Sequence, residues 1–138
     1  MNRVADSRQR LVDAIRLLWM PERVHAVTPN RVDPPCVFVA GTSLDRITVG
    51  SPGAQMAVAT FPVWCVADGR PDEQTRTLDD LIAVVWDAAF ACGALPNDAT
   101  PSAVDVGGVS VRGAVVRVEL TLTAATLCTP TLQEATNG

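Results

Sequence analysis

Between Cys65 and Ile82 the sequence runs CVADGRPDEQTRTLDDLI, and Asp68, Asp72, Glu73, Asp79 and Asp80 crowd there beside Arg70 and Arg76. Such residues suit three kinds of chemistry. Two converging carboxylates can serve as general acid and base. A glycine-rich turn can hold a phosphate on its backbone N–H groups. Acids at a helix start complement the helix dipole. Gly69 stands alone in the stretch, so a phosphate cradle lacks its closely spaced glycines. Asp68 and Asp72 are the pair that could converge for catalysis. Asp79 and Asp80 already have a structural reason, because Thr77 with Asp80 three residues on fits a capping box. The stretch is therefore expected to be a strand, a solvated acidic loop and a capped helix, with Asp68, Asp72 and Glu73 not catalytic.

The other reactive side chains are Cys36, Cys65, Cys92 and Cys128, with His25 as the single histidine. A nucleophilic cysteine needs a base within hydrogen-bond reach and a third group to orient that base. Zinc needs close-set cysteine pairs or histidines. The cysteines are dispersed, and Cys36, Cys65 and Cys92 sit in apolar stretches, where cysteine behaves as a small buried hydrophobe. No nucleophile-elbow, zincin or P-loop pattern occurs. Neither a metal nor a cofactor is expected.

The elements that hold these residues follow from periodicity. At 138 residues, 48% of them hydrophobic, the chain fits one packed domain. Its mean hydropathy is +0.21. No apolar run approaches the roughly 18–20 residues of a membrane span, and charges interrupt the first twenty residues, so synthesis and retention in the cytosol are expected. Net charge is −4 and all 11 basic residues are arginine. That sign disfavours gripping nucleic acid through its phosphates.

A first helix is predicted from Asp6 to Trp19, with Leu11, Ala14, Ile15 and Leu18 on one face. Val24 to Val27 reads as a short strand, and Cys36 to Ala40 as a buried one. Residues 41–54 read as a long excursion whose middle, Arg46 to Val49, can pair. A long strand follows from Gln55 to Ala67, with Pro62 requiring an edge or a bulge. The second helix is predicted from Thr77, with Leu78, Leu81, Ile82, Val85, Ala89 and Cys92 on its apolar face and Gly93 as its stop. PNDATP reads as a connecting loop. Gly107–Gly108 then predicts a tight hairpin turn. In its second arm Val116, Val118, Leu120 and Leu122 face one way, and Arg117, Glu119, Thr121 and Thr123 the other. The fold class is thus α+β: a mostly antiparallel sheet with two amphipathic helices packed on one face. Residues 1–128 form one domain and 129–138 a flexible C-terminal tail.

Three stretches in this order, PPCVFVAG, FPVWCVADGRPDEQTRTLDDLIAVVWDA and DVGGVSVRGAVVRVELTLTA, span most of residues 1–126. In order and spacing the chain resembles the tail terminator, or tail completion, proteins of long-tailed bacteriophages. The resemblance implies a structural virion protein without catalytic residues. Such a protein forms a ring, expected to be a hexamer, on the head-proximal end of the tail tube. It ends tube polymerisation and presents the head-joining surface. The implied partners are further copies of the chain, the tail tube protein and a head–tail connector or stopper protein. DNA would pass through the ring without sequence-specific binding, and the negative charge suits a lumen through which DNA slides. The competing readings are another head–tail joining protein of the stopper or connector kind, a small cytosolic enzyme using the acidic loop, and a ligand-binding domain.

Four residues are expected at a subunit interface. Trp86 and Phe90 fall roughly 80–120° from the centre of the second helix's apolar face. Each can bury about 150–250 Å² against a neighbour, as aromatic anchors do. Arg117 and Glu119 share the polar face of the last strand, where they pair across strands or help set register with another copy.

Overall fold

In the computed structural model, residues 3–48, 55–67, 71–106 and 108–123 are described. Asp68, the proposed tail 129–138 and the end of the 41–54 excursion lie outside them. The chain runs α1 (Arg3–Leu18), a 3₁₀ turn (Pro21–Arg23), β1 (Val24–His25), β2 (Cys36–Val39) and β3 (Ser43–Thr48). It continues through β4 (Gln55–Val66), α2 (Pro71–Ala91), β5 (Leu95–Val106) and β6 (Val109–Thr123). The six strands form one sheet ordered β1-β2-β4-β6-β5, with β3 beside β4. Every pairing is antiparallel except β1 with β2. Fold class and helix placement agree with the α+β expectation.

β4 is the spine of the sheet. Along one side it pairs with β6 from Met56↔Thr123 to Val66↔Gly113. Along the other, β3 covers Gln55 to Thr60 and β2 covers Val63 to Val66. Pro62 therefore needs neither the edge nor the bulge expected for it. Its carbonyl accepts from Ala40 N–H at 2.9 Å, on the β2–β3 side. In an antiparallel strand a residue's N–H and C=O point the same way, so the missing N–H falls in the gap where β3 gives way to β2.

The strand period of two divides the sheet's residues between its faces. Ala59, Phe61, Val63 and Cys65 of β4, Val37 and Val39 of β2, and Val116, Val118 and Leu122 of β6 share the main core with the helices. Leu11, Val12 and Ile15 enter it from α1, and Leu81, Val85, Ala88 and Ala89 from α2. Arg16 holds α1 to the sheet by donating to the Val24 carbonyl at 2.9 Å. Arg8 donates to the Thr42 hydroxyl. Leu18, expected on the core face, is 50% exposed; α1 ends there, and the face closes on Val12 instead.

α1 starts three residues before the expected Asp6 and ends one before Trp19, β1 stops at His25 rather than Val27 and β2 at Val39 rather than Ala40; the larger differences lie in α2 and β5. α2 begins at Pro71, six residues before Thr77, which lies in the second turn and caps nothing. Proline suits the first helical position because its φ is preset and its absent N–H would be orphaned anyway. Asp72 and Glu73 then occupy the first turn, where the dipole favours acids. PNDATP is strand rather than loop, since β5 starts at Leu95. Pro96 and Pro101 are tolerated because β5 is the sheet's edge and pairs with β6 alone. A bulge at Asn97 separates the Pro96↔Val118 and Asp98↔Arg117 pairs.

The predicted stops hold. Gly93 sits at φ +80. Its N–H bonds the Phe90 carbonyl at 3.1 Å and the Ala94 N–H bonds the Ala89 carbonyl at 2.9 Å, a Schellman cap. Gly108 has φ +84, and Val106↔Val109 closes the hairpin.

Candidate functional site

The acidic stretch does not assemble as a site. Glu73 is exposed in the first turn of α2, and Asp79 and Asp80 are exposed further along it. Asp72 lies in that first turn, and its side chain is outside the described residues. Cys36 and Cys65 are buried and Cys92 is half-buried, as packing groups are, while Cys128 lies outside the described residues. Burial pushes the Cys65 thiol up to about 12, with Cys36 adding to the rise. Burial also raises the Cys36 thiol, opposed by a hydrogen bond from the backbone at Asp33. A raised thiol pKa withholds the thiolate that nucleophilic or metal chemistry requires. His25 pairs across the ladder with Phe38. Among the described residues no three histidine, cysteine or acidic side chains gather as a metal site, and no helix is long and apolar enough to cross a membrane.

The expected interface residues fall on two sides of the sheet. Trp86 and Phe90 stand one turn apart on α2. Trp86 is half-buried against the main core, so the helix flank uses part of its ring for folding. Phe90 remains 58% exposed. Arg117 and Glu119 belong to the opposite, helix-free face. There Arg117 donates to the Asp98 carboxylate at 3.1 Å, across the β5–β6 pair. Glu119 faces Thr60 on β4. The structure thus separates the four residues into two pairs.

The helix-free face holds a feature that strand periodicity does not reveal. Phe38 and Trp64 are cross-strand partners, and their rings stack at 6.2 Å with an 11° interplanar angle. They belong to a second, smaller cluster with Cys36 and Val66, against which Val32, Val104 and Val111 pack. The pairing of β2 with β4 brings the rings together across 26 residues of sequence, so no local pattern announces it. Beside Trp64 a groove of about 440 Å³ crosses Pro62 and Val115, bounded by Thr100 and Arg117. A second opening of about 490 Å³ lies between the first half of α2 and the hairpin, lined by Leu78, Ile82, Pro101 and Ala114. Arg112 at its rim donates to the Thr75 hydroxyl at 3.4 Å.

The two openings offer apolar walls with hydroxyls and charges at their rims, Asp79 and Arg112 at one and Arg117 at the other. Such surfaces suit the seating of another side chain. No family model and no curated protein matches the chain.

Proposed function

We propose that the chain is a structural, non-enzymatic virion protein: a tail terminator that forms a homo-oligomeric ring, six copies by the resemblance, on the head-proximal end of a phage tail tube. There it stops tube growth and offers the surface that joins the filled head. The observation that carries this reading is the 58% exposure of Phe90 at the end of α2, on the same stripe as the half-buried Trp86. A ring this exposed contributes little to its own monomer and much to a contact.

Two further features support the reading. The order of helix, strands, helix, hairpin and long last strand, on which the resemblance rests, is the order of the folded chain. The net charge of −4 suits a ring that lets DNA pass without holding it.

Electron microscopy of a lysate from phage lacking the gene tests the function. The expected result is tails of irregular, often excessive length, unattached to filled heads. Tails of normal length that lack only attachment would overturn the terminator reading in favour of a stopper.

A further inference from the structure

The helix side and the helix-free face carry complementary features on opposite sides of one sheet. On the helix side, Phe90 projects at the last turn of α2, with Asp87 on the same face. Arg10 of α1 reaches this end too, donating to the Cys92 carbonyl at 3.5 Å. Neither Asp87 nor Arg10 has an ion-pair partner among the described residues. On the other face lies the groove over Pro62, Trp64 and Val115. At about 440 Å³ it has room for a large side chain, and its partly apolar walls gain when water leaves them. Arg117 stands at its rim, and Glu119, two residues along the same strand face, has no ion-pair partner among the described residues. The sheet stands between Phe90 and the groove, so a copy cannot fill its own.

We infer that the Phe90 end of α2 in one copy seats in the helix-free groove of the next copy, with Arg10 against Glu119 and Asp87 against Arg117 of that next copy. This inference rests on the ring reading above and names its contact. A knob and a groove on opposite sides make a heterologous interface, which repeats head to tail and closes into a ring when the rotation per step completes a turn. The charges match crosswise: a cation and an anion beside the knob meet an anion and a cation beside the groove. Arg117 can serve two acids, since its guanidinium carries five donors and Asp98 lies against one of its nitrogens. Trp86, Phe90, Arg117 and Glu119 then form the two halves of one interface.

The test is sedimentation of the purified full chain across a concentration series, with the thermal melt of each variant recorded in parallel. Phe90→Ala is expected to melt like the parent and assemble at least about tenfold more weakly, as an interface anchor does. Thr100→Trp, which fills the groove from its exposed rim, is expected to do the same. Arg10→Glu and Glu119→Arg should each weaken assembly, and the two in one chain should restore it. That rescue keeps the inference testable even if a groove variant misfolds. Assembly indifferent to Phe90→Ala, or charge reversals without mutual rescue, would overturn this contact and leave the ring standing. A chain monomeric at every concentration would remove the ring and the contact together.

Discussion

On the helix side of β4, Ala59, Phe61, Val63 and Cys65 are at most 1% exposed. One residue along, on the other side, Thr60, Pro62 and Trp64 all keep some contact with solvent. The first set meets two helices and is settled by folding. The second meets a stacked ring, a cross-strand ion pair and an open groove. Burial of about 25 cal/mol per Å² of apolar surface makes the helix side the source of stability. The helix-free side contributes less to folding and so retains groups that can be satisfied by another molecule. The comparison separates what the monomer needs from what it leaves unfilled.

Phe61→Ala probes the helix side hardest. It removes the largest fully buried side chain and is expected to cost about 3–5 kcal/mol, read as a fall in the urea midpoint at unchanged slope. A loss below that of any helix-free-side variant would break the comparison.

Alkaline titration comes next. The Cys65 thiol is held up to about 12 in the fold, while an unfolded thiol titrates near its ordinary value of about 8.5. Above that lower value the unfolded chain sheds a proton that the folded chain keeps. Stability is therefore present in full below it and falls as pH rises towards about 12. Cys65→Ala should flatten that fall in urea melts taken across the range; an unchanged fall would assign it to other groups.

Gly113→Ala tests the join between the faces. A Cβ there would lie 2.9 Å from the Cys65 carbonyl oxygen and 2.8 Å from Val104 Cγ2. Backbone cannot yield as a side-chain tip does, so a cost of about 1–3 kcal/mol is expected. A neutral result would show that β6 and β4 slide apart freely at that end.

The smallest effect belongs to the helix-free side. Arg117→Gln breaks a 3.1 Å pair whose side chains are 49% and 46% exposed, and exposed pairs contribute about 0.2–1 kcal/mol. A larger loss in a chemical melt would place Arg117 among the groups that hold the fold.

Local periodicity made much of this structure legible in the sequence. The alternation of Val116, Val118 and Leu122 against Arg117 and Thr121 depends on one strand alone, as does the helical spacing of Leu81, Val85 and Ala89. Both appear as expected. The glycine signals at Gly93 and Gly108 are equally local, because positive φ is a property of single residues. The start of α2 differs from expectation because the Thr77–Asp80 box is a weaker local signal than Pro71 followed by acids, whose preset φ and first-turn charges both favour a helix start. Proline with the first-turn acids won, adding six residues of helix.

What stayed hidden depends on register. PNDATP becomes strand because β6 offers it a partner, and Pro62 sits in a central strand because two neighbours share one side of β4. The Phe38–Trp64 stack and the groove beside it exist only once β2, β4, β5 and β6 are aligned. Strand alternation alone already sets Arg117 and Glu119 on the face away from the helix that carries Trp86 and Phe90, but the groove beside Arg117 could not be seen.

Native mass spectrometry of the purified chain tests the central claim most directly. A ring gives a closed species of six copies of the 14.6 kDa chain, about 88 kDa. A species at 14.6 kDa alone, or an open-ended ladder of masses, would contradict it.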